Sequence, residues 1–239
     1  VFSATTSFAG SATNSANFLF SGGTATFAGT TATSGNITLS GGTIGGTGTV
    51  TTAGGFNWTN GDLRDGGILN ANGGSTWSSA NAKYLSSHTV NLDGTNTWSN
   101  GPIYTGGGSL ITLKPGATFT TNFDGYVHYN LGGLRATFDN QGTFTKSVGT
   151  GSTTFDSAFT NSGTVNIVTG TLALNGGGSS SGSVAVASGA TIALGGQNFA
   201  FGANATVSGN GTVQVFSATT SFAGSATNSA NFLFSGGTA

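Results

Sequence analysis

Hydrophobic and polar residues alternate in short runs along almost the whole chain, and clusters of Gly, Asn and Ser separate these runs. Clear examples are TATFAG (24–29), NITLSG (36–41), GTLALNG (170–176) and ATIALGG (190–196). Alternation with a period of two places every second side chain on the same face of an extended strand. The pattern therefore predicts an all-β protein of many short strands joined by tight corners.

Residues that favour helices are scarce. The acidic residues number six and the basic residues five, so only 5% of the chain is charged, while 44 residues are Gly. Such a composition is typical of disordered linkers, but 18 Phe and three Trp are too many for a solvated segment. No apolar run approaches the roughly 20 residues of a membrane helix, so no membrane span is predicted.

A large apolar residue returns about every 20 residues in a similar local context. Constant spacing of one residue type indicates stacked turns, in which each strand pairs in parallel with the equivalent strand one turn earlier. The fold class predicted is a parallel β-helix (β-solenoid), with about eleven coils of 19–21 residues over the range 1–214. A β-propeller is less favoured, although two coils approach the length of one propeller blade. The predicted core stack consists of Phe20, Leu39, Trp58, Trp77, Trp98, Phe119, Phe138, Phe159, Leu174 and Leu194.

A second, much longer repeat is visible at the two ends. Residues 1–25 and 215–239 are identical, so Val215 begins a second copy of the segment that Val1 begins. We expect 1–214 to be one complete solenoid repeat and 215–239 to be the start of the next identical repeat, in the place that 1–25 take in the first. The expected partners are therefore neighbouring identical repeats of the same protein, associating end to end and laterally.

Residues 138–196 carry the turns NQGTFT, NSGTVNIVTGTLALNGG and SGATIALGG. This segment resembles the passenger regions of bacterial autotransporters and of filamentous-haemagglutinin-like adhesins. The resemblance implies a right-handed parallel β-helix that is secreted or displayed on a bacterial surface. The absence of Cys fits a protein that avoids disulfides during export.

All the charged side chains lie between residues 62 and 156. Enzymes on this fold need carboxylates that converge in one groove. Four of the charges, Asp62, Lys83, Asp124 and Lys146, have near-coil spacing and predict a solvated stripe of mixed charge instead. We therefore expect no enzyme and no catalytic residue. The full set is Asp62, Arg64, Asp65, Lys83, Asp93, Lys114, Asp124, Arg135, Asp139, Lys146 and Asp156.

No cofactor or metal site is predicted. Asn60, Asp62 and Asp65 do not match a calcium-binding loop, and His88 and His128 have no second ligand at short spacing. The Gly-rich stretch 41–48 lacks the Lys-Ser/Thr of a phosphate loop and is interpreted as a corner. A net charge of −1 offers no basic surface for nucleic acid.

Four tyrosines fall outside the regular core spacing and are predicted to make surface contacts: Tyr84, Tyr104, Tyr126 and Tyr129. The predicted function is an extracellular structural protein, a stiff rod or filament on or outside a bacterial cell. The stalk of a cell-surface adhesin and a carbohydrate-binding or carbohydrate-active β-helix are the alternatives. Surface glycans or host receptors are the partners that these alternatives imply.

Overall fold

The computed structural model of the protein describes residues 1–223 and 227–238, with the backbone alone at 227 and 228. The described residues form short strands and no helix. The strands stack into a parallel β-solenoid of about eleven turns, which confirms the predicted fold class.

The strands, in chain order, are β1 (Thr6–Phe8), β2 (Ala12–Asn14), β3 (Phe18–Phe20), β4 (Thr24–Phe27), β5 (Thr30–Thr33), β6 (Ile37–Gly45), β7 (Thr49–Thr52), β8 (Phe56–Leu63), β9 (Ile68–Ala71), β10 (Ser75–Trp77), β11 (Lys83–Ser86), β12 (Thr89–Leu92), β13 (Thr95–Trp98), β14 (Ile103–Gly106), β15 (Leu110–Leu113), β16 (Thr118–Thr121), β17 (Tyr126–Tyr129), β18 (Thr137–Asn140), β19 (Thr143–Lys146), β20 (Ser152–Phe155), β21 (Ala158–Asn161), β22 (Thr164–Ile167), β23 (Thr171–Leu174), β24 (Gly178–Ser180), β25 (Ser183–Val186), β26 (Thr191–Leu194), β27 (Phe199–Phe201), β28 (Thr206–Ser208), β29 (Thr212–Val215), β30 (Thr220–Phe222), β31 (Thr227–Asn228) and β32 (Asn231–Phe234).

Each turn crosses three faces, and every pairing between the described strands is parallel. Face 1 contains β1, β4, the ends of β6 and β8, and then every third strand from β11 to β32. Face 2 is a separate 11-stranded sheet that runs from β2 to β30. Face 3 contains β3, the beginnings of β6 and β8, and every third strand from β10 to β31. Because β6 and β8 continue around a corner, faces 1 and 3 belong to one hydrogen-bonded network.

The core is a set of side-chain ladders inside the three faces. Phe138 stacks on Phe159 with ring centroids 5.4 Å apart and planes 6° from parallel. Phe119 and Phe144 repeat this arrangement at 5.7 Å and 9°. In these two pairs like residues lie on like residues, and the buried apolar residues form one cluster along the axis.

The predicted coil length is correct for most turns and wrong near the middle. Tyr126 pairs with Thr154, 28 positions further along the chain, and Leu110 pairs with Thr137, 27 positions further along. The additional residues lie in the corner segments 122–125, 130–136 and 147–151, outside the strands. Corners accept insertions because they do not change which strands pair.

The ten residues of the predicted core stack are all buried, but they do not form one stack. The first five share one register on face 3: Phe20, Leu39, Trp58, Trp77 and Trp98.

The predicted stack is wrong beyond Trp98, whose partner one turn later is Thr121 and not Phe119. The turn between β13 and β16 is two positions longer than the step from Trp98 to Phe119, because Thr95 pairs with Thr118. Phe119 remains on face 3 in a neighbouring ladder. The remaining four lie on other faces: Phe138 and Phe159 on face 2, and Leu174 and Leu194 on face 1.

Candidate functional site

Four aromatic rings form a ladder on the outside of face 1, and we call them the aromatic ladder: Tyr84, Tyr104, His128 and Tyr126. Tyr84 pairs with Tyr104, and Tyr104 with His128, in the strand register of β11, β14 and β17. The ring centroids are 5.4 Å and 5.6 Å apart, and the planes are inclined by 26° and 11°. Tyr126 stacks on His128 at 4.9 Å.

Stacking within the ladder covers the faces of its inner rings. Tyr104 covers one face of Tyr84, whereas the register partner of Tyr84 on the opposite side is Asp62, which has no ring. Tyr84 is 37% exposed. A planar or ring-shaped ligand can therefore stack on this end of the ladder but not on its middle.

A surface cavity of about 370 Å³ opens next to Tyr84. Its volume lies within the range of small-molecule sites. Two carboxylate residues, a guanidinium, two serines and two leucines line it together with the aromatic ring. The lining residues are Asp62, Leu63, Arg64, Asp65, Tyr84, Ser86, Ser87 and Leu131.

The corner segment 130–136 contributes Leu131 to the lining of the cavity, although it belongs to a later turn of the solenoid. Backbone hydrogen bonds hold this segment along the preceding turn: Gly107 N donates to Gly132 O at 2.7 Å, and Gly108 N donates to Leu134 O at 2.7 Å. These bonds place Leu131 over the cavity. The insertion that lengthens this turn therefore also builds the site.

Arg64 and Asp62, which both line the cavity, form an ion pair. Arg64 Nη2 also donates to Thr43 Oγ1 at 3.3 Å. Beneath this corner, His88 Nδ1 donates to the backbone oxygen of Arg64 at 3.0 Å. Burial lowers the pKa of His88, so the imidazole is neutral and acts as a fixed donor. Two carboxylates against one guanidinium leave the cavity with a net negative charge.

The far end of the aromatic ladder is held by a second set of polar contacts. His128 Nδ1 lies 3.0 Å from Asp156 Oδ2. Arg135 donates to the backbone oxygen of Asp156 and covers the ring of Tyr129 at 4.6 Å. Segment 130–136 is thus attached at both of its ends. Sequence spacing could not show the contact between His128 and Asp156, because the two residues belong to an irregular turn.

The predicted stripe of solvated charge is wrong for its two lysines. Lys83 and Lys146 are fully buried, since both occupy inward positions of their strands. Lys146 Nζ donates to Asp124 Oδ1 at 2.7 Å. Lys83 has no carboxylate partner in the described residues, and its Nζ donates to the backbone oxygens of Ser79, Asn81 and Asn100 at 3.1–3.4 Å.

Within the described ranges, no group of three or more His, Cys, Asp or Glu side chains is placed to hold a metal ion. Those same residues include no helix with the length and hydropathy needed to cross a membrane.

Comparison with known proteins gives no family assignment. No family model matches the chain, and neither the curated proteins nor the solved structures provide a significant match. The class of the protein therefore rests on its fold, a parallel β-solenoid.

The buried Lys83 makes stability depend on pH in a defined direction. Burial lowers the pKa of Lys83 from 10.5 to about 8, so the folded chain releases this proton before the unfolded chain does. The contribution of Lys83 to stability then rises with pH between about 8 and 10.5. We expect the unfolding free energy of the native chain to gain about 2–3 kcal/mol by pH 10, relative to a Lys83→Met variant.

Guanidinium unfolding at pH 7 and pH 10 measures this difference in unfolding free energy. Subtracting the values of the Lys83→Met variant removes the contribution of the other titrating groups. An identical pH dependence of the native chain and of Lys83→Met would show that Lys83 titrates normally. A Lys114→Met variant, which changes a lysine on the surface, serves as the control.

Proposed function

We propose that the protein is an extracellular structural rod, part of a fibre, sheath or matrix on or outside a bacterial cell. The observation that carries the proposal is the continuity of parallel pairing on all three faces through about eleven turns. At about 4.8 Å per turn, such a stack forms a rod roughly 50 Å long. The proposal assigns no catalysis to it.

The physical basis for a mechanical role is that every turn is hydrogen-bonded to the turns before and after it. Bending or stretching the rod strains many backbone bonds at once, and these bonds are shielded by stacked side chains. With only 5% charged residues, two rods repel each other weakly, which favours bundling. The stalk of an adhesin would use the same properties, with its binding tip elsewhere.

Antibodies raised against the folded chain test this proposal directly. We expect immunogold electron microscopy of intact, unpermeabilised source cells to show gold particles along filaments outside the cell envelope. Permeabilised cells stained in parallel are the control. Labelling that occurs only after permeabilisation, or that is diffuse and without filaments, would contradict the proposal.

The cavity beside Tyr84 favours a second candidate function, the binding of a neutral glycan along the rod. Sugar rings stack their apolar C–H faces on aromatic rings, and their hydroxyls donate to carboxylates. Tyr84 supplies the uncovered ring, Asp62 and Asp65 supply acceptors, and Arg64 supplies a donor. The net negative charge of the cavity disfavours acidic sugars.

A matched pair of tyrosine variants tests glycan binding. We expect a Tyr84→Ala chain to lose its signal on an array of neutral glycans, because the stacking platform is removed. A Tyr126→Ala chain should retain the signal, because Tyr126 is also exposed but lies outside the cavity lining. Equal binding by both variants, or no binding by the native chain, would rule out this site.

A further inference from the structure

The outside of face 3 carries two columns of threonine side chains along the axis. The strands β13, β16 and β19 read TNTW, TFTT and TFTK, and their first and third positions point outward. β22 continues the pattern with TVNI. Four successive turns thus present two outward polar residues each, and we call these eight residues the threonine array: Thr95, Thr97, Thr118, Thr120, Thr143, Thr145, Thr164 and Asn166.

The strand register aligns the array from turn to turn without a shift. Thr95 pairs with Thr118, and Thr118 pairs with Thr143. Thr143 pairs in turn with Thr164, and the residues two positions later follow the same register. These pairs are 23, 25 and 21 positions apart in the sequence. Coil spacing alone does not reveal the columns, because the corners between these strands differ in length.

The array is a regular lattice because its spacings are those of the backbone. Neighbouring parallel strands lie about 4.8 Å apart, and residues two positions apart along a strand lie about 6.6 Å apart. Threonine is β-branched and has few χ1 rotamers, so its hydroxyl and methyl groups point in a narrow range of directions. The positions of the seven hydroxyls are therefore largely fixed before any ligand binds.

The hydroxyls of the array are available to a ligand. In the part of the chain that the structure describes, none of the seven hydrogen-bonds another protein group. All eight side chains are exposed or half-buried. The one charged residue in these four strands is Lys146, which points inward and is fully buried. By contrast, the outward positions of face 2 include Leu110 and Asp139.

The spacing along the axis is close to a spacing in ice. In tetrahedrally bonded water, two oxygens that share a neighbour lie about 4.5 Å apart, because each hydrogen bond is about 2.7–2.8 Å long. The turns of the solenoid repeat at about 4.8 Å, so the mismatch accumulates to only about 0.9 Å across the four strands. Water bound to one column therefore lies near lattice positions of ice, and the methyl groups order the water between these positions.

We propose that the threonine array binds ice, with the outermost water layer of the crystal as its ligand. Each hydroxyl both donates and accepts hydrogen bonds, so it can take the place of a water molecule at the edge of the lattice. Because the side chains are already ordered, few rotamers are lost on binding. This function does not depend on the proposed rod, and it lies on a different face from the aromatic ladder.

The absence of outward charge supports ice as the ligand. An ion orients its hydration shell toward itself, and such a shell does not fit a tetrahedral lattice. The array offers instead neutral groups that hydrogen-bond water in the geometry that water uses with itself. A charged side chain placed in the array should therefore abolish binding without any change in the fold.

A matched pair of lysine substitutions tests the proposal. When a solution freezes slowly around a cold probe, ordinary solutes stay in the liquid, and we expect the native chain to be incorporated into the ice instead. Thr120→Lys places a strongly hydrated ammonium in the array, so this variant should stay in the liquid. Thr112→Lys adds the same charge at an outward position of face 2, one strand earlier, and should be incorporated like the native chain.

Thr145→Lys, one turn further along the array, should behave like Thr120→Lys, and circular dichroism of the three variants checks that each is folded. A native chain that stays in the liquid would overturn ice binding. Incorporation of the native chain, with equal behaviour of Thr120→Lys and Thr112→Lys, would overturn the assignment to face 3. Neither result bears on the proposed rod, which the immunogold labelling of the source cells tests.

Discussion

The structure depends on parallel backbone pairing between each strand and the strand one turn earlier. Because successive side chains alternate between the inside and the outside, a slip of one residue would turn a whole strand inside out. Pairs in the solenoid are 19 to 28 positions apart, yet inward residues always meet inward residues. The inward register of the paired strands is therefore maintained along the solenoid, whereas the number of residues in a turn varies.

The corners accept insertions that would disrupt pairing within the strands. Many of the polar contacts of the protein therefore lie at the corners. The insertion at 130–136 adds no strand, but it brings Leu131 over the cavity and Arg135 onto Tyr129. Several inward amide groups near the corners donate to the backbone there or to the neighbouring turn. Asn140 Nδ2, for example, donates to Asn161 Oδ1 at 2.7 Å and to Thr164 O at 2.9 Å. An unpaired buried amide donor would cost about 1–3 kcal/mol, so these contacts stabilise the stacking of the turns.

The sequence predicted the fold because alternation and spacing are local properties. The runs TATF, TLAL and TIAL are strands, and the register from Phe20 to Trp98 follows the spacing of the large apolar residues. Beyond Trp98 the prediction failed, because nothing in the spacing reveals that a corner is longer. The candidate site was only partly predictable for the same reason. Tyr84 and Tyr126 were expected at the surface, but the ladder that connects them through Tyr104 and His128 depends on two irregular turns.

The inward position of the two buried lysines could be predicted from the alternation within their strands but not from the coil spacing. Lys83 alternates with the inward Leu85, and Lys146 with the inward Phe144, so the period of two within KYL and FTK places both lysines inside. Their charge suggested a solvated position, but the pattern of the strand determined where they lie. Their amino groups are accommodated by corner carbonyls and by Asp124. Alternation is therefore a better guide to orientation in this fold than the polarity of a single residue.

Amide hydrogen exchange resolved along the chain tests the central claim, that pairing between turns holds all three faces together. If it does, protection rises from both ends toward the middle turns, and the three strands of any one turn exchange at similar rates. In the central turns, β12, β13 and β14 should then be protected alike. Rapid exchange along one entire face, with the other two protected, would show that the faces open independently and would contradict the account.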